Sequence, residues 1–162
     1  MTIQDTLVIL ISAIGGIYDL KSRRIPNWLT FGTFIAALAF NIFHFNLSSI
    51  LNCLLGFLVG ILLLIIPYIF GGMGAGDVKL LGAIGSVVGF KNIISIFIYS
   101  AICGLFLGLI WIVARPEHLK FLITTGQIFQ AIDKKEKVPY GIAILLGTII
   151  YVIFGNLILK AV

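Results

Sequence analysis

The amino-acid sequence predicts an all-α membrane protein: a bundle of six transmembrane helices with the amino terminus outside, a short fourth span and one interfacial amphipathic helix. Three observations predict it. Of the 162 residues, 60% are hydrophobic and only 10% are charged, and the mean hydropathy is +1.19. Soluble domains carry about 25% charged residues, so this chain has too few to cover a water-facing surface and must be solvated mostly by lipid. The apolar residues gather into six segments, and the basic residues between them fall almost entirely on one side.

The segments run over residues 3–18, 28–45, 50–70, 78–90, 93–114 and 140–159. A span needs about 20 apolar residues, with a usual range of about 17–25, and the second, third, fifth and sixth meet it. The first is marginal. The fourth is short: at about 1.5 Å per residue it covers roughly 20 Å of a hydrocarbon core about 30 Å thick, which leaves room for water at one end. The first segment is expected to be retained, because residues 1–5 carry no Lys or Arg and the positive cluster follows the apolar run. A secretory signal has the reverse order. No second domain, long internal repeat or low-complexity tail is visible, so 1–162 reads as a single transmembrane domain.

Orientation follows from the basic residues. With six alternating spans and an outside amino terminus, Lys21, Arg23, Arg24, Lys79, Arg115, Lys120, Lys134, Lys135 and Lys137 share one side, and only Lys91 and Lys160 lie on the other. That asymmetry is a positive-inside signal. It places the loops around Lys21–Arg24, at 71–79 and at 115–139 in the cytoplasm. The net charge of +5 therefore reports membrane orientation, not an affinity for nucleic acid. In the long loop, Leu119, Leu122, Ile123, Phe129 and Ile132 recur at helical spacing, with Lys120, Thr124, Gln127 and Asp133 elsewhere around the turn. That pattern reads as an amphipathic helix lying in the interface.

The acids are few: Asp5, Asp19, Asp77, Glu117, Asp133 and Glu136. Four lie in the amino-terminal tail or the long loop, where solvated surface is the natural reading. Asp19, at the cytoplasmic end of the first span, and Asp77, at the cytoplasmic start of the fourth, are different. Ionisable groups at membrane depth are costly and mark functional sites. The topology brings these two to one membrane face. From position alone they read equally as interfacial acids paired with Lys21 and Lys79. Cys53 and Cys103 lie far apart in apolar segments with no CxxC pairing, and His44 and His118 have no ligand constellation, so no metal site is expected.

Around Asp77 the chain reads Gly71-Gly72-Met73-Gly74-Ala75-Gly76-Asp77-Val78-Lys79. So dense a glycine run gives positive-φ freedom and lets another chain approach closely, as an extended substrate beside a catalytic acid requires. On this reading a side chain at Gly76 obstructs substrate. The small-residue pairs Gly56/Gly60, Gly85/Gly89 and Gly104/Gly108 are expected to pack helices. Asp19 is followed by Arg24-Ile25-Pro26-Asn27, and Pro26-Asn27 punctuates the start of the second span. Lys79 reads either as a stabiliser of an oxyanion or of the Asp77 charge, or as a snorkelling interfacial lysine. Trp28 suits an aromatic belt.

These elements resemble the type IV prepilin peptidases. Gly74–Asp77 with the following Val78-Lys79-Leu80-Leu81-Gly82-Ala83 closely matches that family's second catalytic motif, a GxGD. Asp19 with Ile25-Pro26-Asn27 is similar to the first, and Val138-Pro139-Tyr140-Gly141 to the Pro-aromatic-Gly element opening the last span. Tyr18-Asp19 and GxGD also fit presenilin-like proteases, which are longer and lack the Ile-Pro-Asn turn.

The resemblance implies an intramembrane aspartic endopeptidase. It would cleave the leader of prepilin-like precursors (prepilin, pseudopilin or archaellin type) at the cytoplasmic face of the plasma membrane. Asp19 and Asp77 would be catalytic, and Gly74, Gly76, Lys79, Pro26, Asn27, Pro139 and Gly141 would shape the site. No cofactor is implied. The precursor carries a short basic leader ending in glycine, followed by a hydrophobic helix. Longer family members hold paired CxxC motifs associated with zinc and N-methylation. Their absence here resembles the short, peptidase-only form of tight-adherence pilus systems and archaeal relatives, and implies no methyltransferase activity. The rival reading is a non-enzymatic transporter or assembly subunit using the two acids as proton or ion sites. Nothing in the sequence sets an oligomeric state or names the pilin.

Two carboxylates sharing a site hold one proton between them. Asp19 lies at the carboxy-terminal end of its helix and Asp77 at the amino-terminal start of its own. The macrodipole, typically worth about 0.3–1 kcal/mol at either end, is therefore expected to bias the proton toward Asp19.

Overall fold

The computed structural model describes residues 2–43, 47–113 and 140–155. They form α1 (Ile3–Ser22), α2 (Asn27–Phe43), α3 (Leu47–Ile69), α4 (Ala75–Val88), α5 (Phe90–Val113) and α6 (Tyr140–Ile150), the last continued by a π-helical turn, Tyr151–Gly155. There are no strands among the described residues. The amphipathic helix expected in 115–139 lies outside them, as does Pro139.

Each apolar segment is helical where it is described, but the helices are not equivalent. By length and composition α1, α3 and the Phe90–Ile110 part of α5 are long and apolar enough to cross a membrane. The 17 residues of α2 and the Tyr140–Gly155 stretch are shorter apolar helices. Large apolar side chains lie exposed along the outer faces, among them Leu10, Ile17, Phe31, Ile35, Leu58, Leu62, Ile98 and Leu105. A water-soluble surface does not carry contiguous patches of this size. This is a membrane protein, and those faces meet lipid.

The fourth helix has 14 residues, as short as expected, and it is the centre of the bundle. Asp77, Val78 and every residue from Leu80 to Ser86 are buried, and α1, α2, α3, α5 and α6 all pack on it. Leu80, Leu81 and Ile84 meet Val8, Leu64, Ile93 and Ile144 in one core. A helix surrounded by protein needs no lipid face, so bilayer thickness does not set its length.

Glycines set the closest approach. Gly56 of α3 lies against the Gly85 carbonyl of α4, and a Cβ on Gly60 would sit 2.6 Å from the Leu81 oxygen. Backbone meets backbone there, as small-residue pairs allow where lipid offers no hydrophobic drive. Of the other expected packing glycines, Gly89 meets α3 beside Gly56 and has a second part, whereas Gly108 does not pack among the described residues. Gly89 ends α4 at φ 83°, with the Asn52 amide where a Cβ would be, and the Asn52 Oδ1 accepts the Phe90 amide at 3.1 Å. Gly108 has nothing within 4 Å of its Cβ position and is no packing contact among the described residues. Of the two thiols expected to be buried, Cys53 is buried and Cys103 only partly so.

Both ends of α1 are capped. At its start the Thr2 hydroxyl accepts the Asp5 amide at 3.2 Å and the Thr2 amide donates to the Asp5 carboxylate at 2.7 Å. Asp5 is thus a reciprocal capping residue. At its end Arg23 turns left-handed at φ 51°, its amide donating to the Asp19 carbonyl.

Candidate active site

Asp19 lies in the last turn of α1 and is 7% exposed, a depth at which a carboxyl needs a partner. The partner comes from the far end of the chain: the Gly141 amide donates to Asp19 Oδ2 at 2.8 Å. Gly141 is the second residue of α6, so its N–H is one of those that a helix leaves unsatisfied at its start. Asp19 therefore caps α6 across the bundle. The two backbones can close because both sides are glycine. A Cβ on Gly141 would lie 2.8 Å from the Asp19 Cβ, and one on Gly16 would lie 3.3 Å from the Gly141 carbonyl.

Asp77 occupies the third position of α4 and is 4% exposed. Its Oδ2 accepts the Gly74 amide at 3.1 Å while its own amide donates to the Gly74 carbonyl at 3.2 Å. The expected helix-dipole difference between the acids meets an opposing contact in this geometry. Asp77 lies at the start of its own helix, but Asp19 is held at the start of α6. Each carboxylate faces the positive end of a helix. The α6 contact opposes the bias toward Asp19 argued from the parent helices.

The structure divides the expected site residues into two groups. In the first, each buried carboxylate takes a backbone amide, Asp19 that of Gly141 and Asp77 that of Gly74. Tyr140, beside Gly141, has its ring against Gly104 of α5. Asn27 and Lys79 form the second group, with Lys79 Nζ donating to Asn27 Oδ1 at 3.1 Å and lying 5.6 Å from the Phe31 ring centroid. Lys79 joins the GxGD helix to the Ile-Pro-Asn turn. The Pro26 carbonyl begins α2 by accepting the Leu29 amide at 3.1 Å. Trp28 is exposed and meets Tyr18 edge to face at 6.3 Å.

The glycine run is less uniform than it looks in sequence. Only Gly71, at φ 79°, needs positive-φ freedom. Gly74 has φ −86° and room for a Cβ, which would lie 3.4 Å from Asp77 Oδ2. Close approach occurs at Gly76, but the approaching chain is the protein's own. Its Cβ position lies 3.1 Å from the Ile25 Cβ and 3.3 Å from the Ile25 amide nitrogen. Ile25 is buried in the core beside Val78. Gly76 thus has a packing role that docks the α1–α2 turn on α4, beside the substrate-clearance role expected of it. Gly76→Val is accordingly expected to lower thermal stability in detergent by the equivalent of about 1–3 kcal/mol, the usual cost of overpacking. Unchanged melting with lost activity would leave it the substrate-clearance role alone.

Sequence reasoning passed over Ile25 and Tyr140 as contributors to the site. Tyr140 had one signal, its place beside Gly141 at the start of the last span. Ile25 had its place in the Ile25-Pro26-Asn27 turn, but which glycine it lands on is set only by packing.

The chain matches the model of the type IV leader peptidase family over residues 6–109, a stretch that contains both aspartates. It is 30% identical over 149 residues to the prepilin leader peptidase/N-methyltransferase of Bacillus subtilis, covering 91% of this chain and 54% of that protein. It is 31% identical over 85 residues to the protein of the same name from Xanthomonas campestris pv. campestris, covering 52% of this chain and 24% of that one. The chain thus spans about half the length of the first relative and a quarter of the second. No solved structure matches it. The family model covers most of the chain, including both carboxylates and the helices that carry them, and the chain belongs to the type IV leader peptidase family.

Proposed function

We propose that the chain is an intramembrane aspartic endopeptidase that removes the leader from type IV prepilin-like precursors at the cytoplasmic face of the plasma membrane. Asp19 and Asp77 are its catalytic pair. The observation that supports this best is the burial of both acids at helix ends, Asp19 accepting the Gly141 amide from the far end of the chain and Asp77 the Gly74 amide of its own glycine run. A transporter reading has no comparable support, and the two relatives' names include a peptidase.

The chemistry follows from the hydrogen bonds. In each acid Oδ2 accepts a backbone amide, which fixes the orientation of the carboxyl. Two carboxyls in one site share a single proton. The ionised member takes a proton from water, the water oxygen attacks the scissile carbonyl, and the protonated member polarises the carbonyl oxygen. Collapse of the tetrahedral species expels the amine as the proton is returned. The two amide-anchored oxygens hold the pair without reorganisation during these steps. No metal or other cofactor enters. In this reading residues 1–162 form one peptidase domain of six spans with the amino terminus outside, and N-methylation lies outside its activity.

The test is co-expression with candidate prepilins in a host lacking its own leader peptidase. Size-shifted, leader-free pilin is expected with the wild-type chain. Methylation of the new amino terminus, read by mass spectrometry, is expected to be absent. Persistent full-length prepilin across pilin classes would overturn the peptidase reading.

A further inference from the structure

Lys79 stands two residues beyond Asp77 on α4, and its ammonium is held from α2. Its Nζ donates to Asn27 Oδ1 at 3.1 Å and lies 5.6 Å from the centroid of the Phe31 ring. Asn27 and Phe31 are one turn apart at the start of α2, so they present an amide oxygen and an aromatic ring to the same cation. On the other side of Asp77, Gly76 receives Ile25, whose Cβ lies 3.1 Å from the Gly76 Cβ position. The turn into α2 therefore meets α4 at two points, one just before Asp77 and one just after it. The same turn leaves α1 directly behind Asp19, where the Arg23 amide donates to the Asp19 carbonyl at 2.9 Å. Residues 23–26 are all that join α1 to α2. So short a connection transmits position: a shift of the turn on α4 moves the end of α1 that carries Asp19 relative to Asp77.

We infer that Lys79 is a positioning residue: held by Asn27 and Phe31, it latches the α1–α2 turn to α4 and so fixes the placement of Asp77 relative to Asp19. This rests on the peptidase reading above and deepens it, giving the Lys79 charge a task on α2 rather than on the scissile carbonyl. Buried Ile25 supplies the apolar half of the latch and Lys79 the polar half. A hydrogen bond at an exposed edge adds little to global stability, so its loss is read in turnover sooner than in melting.

Two measurements test it. In the first, leader cleavage is followed with purified Lys79→Met, Asn27→Leu and the double variant. Lys79→Arg and Asn27→Asp, which keep the donor and the acceptor, run beside them. Misplacing a catalytic group by about 1 Å costs about a hundredfold, and the Ile25 contact remains in every variant. Each disruptive single variant is therefore expected to lose about tenfold in kcat, with KM changed less than about threefold and melting within about 2 °C of wild type. The double variant is expected to match the worse single one, because both substitutions remove the same contact. Lys79→Arg and Asn27→Asp are expected to stay within about threefold of wild type. A Lys79→Met enzyme with wild-type kcat would overturn the inference. So would losses that multiply in the double variant, since Lys79 would then act on something other than Asn27.

The second measurement needs no turnover. Trp28 follows Asn27 in the chain and is exposed, edge to face with Tyr18 of α1 at 6.3 Å, so it reports on the turn. The chain has 2 tryptophans, and Trp111→Phe leaves Trp28 as the single fluorophore of its kind. Its time-resolved anisotropy in the full chain is expected to fall in Lys79→Met and to hold in Lys79→Arg and in Lys91→Met. Unchanged anisotropy in Lys79→Met would also overturn the inference. Failure of the peptidase reading looks different: the wild-type chain leaves prepilin uncut, while Trp28 still responds to Lys79.

Discussion

Asp19→Asn and Asp77→Asn are each expected to reduce prepilin cleavage by about three orders of magnitude or more, with the protein still made and inserted at wild-type level. The size of the effect follows from shared function. A dyad has one proton for two carboxyls, and removing either acid removes the base or the acid from every step, so the losses do not add. Retention of the fold is expected because asparagine keeps an oxygen at the Oδ position. The Gly141 amide can still donate to residue 19 at about its present 2.8 Å, and the Gly74 amide to residue 77 at about 3.1 Å. The check is a cleavage assay normalised to membrane-extracted protein, with melting measured beside it. Near wild-type cleavage by either variant would sink the dyad assignment.

The second large effect is expected at Gly141, a residue with no chemistry of its own. In Gly141→Ala the new Cβ would sit 2.8 Å from the Asp19 Cβ and 3.0 Å from Asp19 Oδ2. The nearest atom belongs to the root of the side chain, which cannot swing aside without moving the backbone of α1. Either α6 backs away and the 2.8 Å amide bond to Asp19 is lost, or Asp19 turns off its line. Misplacement of a catalytic group by about 1 Å costs about a hundredfold, so kcat/KM is expected to fall by about that factor. The fitting control is Gly32→Ala, where nothing lies within 4 Å of the new atom and activity is expected to be unchanged. If Gly141→Ala turns over like the wild type, the amide bond to Asp19 has no part in catalysis.

Much of this protein can be read from its residues in order. The solvent is legible because hydrophobicity is additive: 60% hydrophobic and 10% charged residues leave lipid as the surrounding medium however the helices are arranged. Helix positions are legible for a related reason, since each apolar run is bounded by its own glycines, prolines and charges. Asp19 and Asp77 stand out because an acid beside an apolar run is conspicuous without knowledge of its neighbours.

What depended on three-dimensional contact was read less well. Position along the chain shows which helix an acid belongs to, and gave Asp19 only one of the two helix ends it meets. Contact across the bundle supplied it with the start of α6, 122 residues away. A short apolar run looks alike whether lipid or protein surrounds it, so the place of α4 at the buried centre shows only in the packing. Glycines look alike in a string of letters, yet they met different fates. Gly85 meets backbone, Gly76 admits Ile25, Gly104 seats Tyr140, and Gly108 meets nothing among the described residues. The physical reason is common to all of these. Solvent preference and helix formation are sums over local residues, whereas a capping amide or a glycine contact depends on which distant residue arrives opposite, and only packing of the helices on α4 sets that.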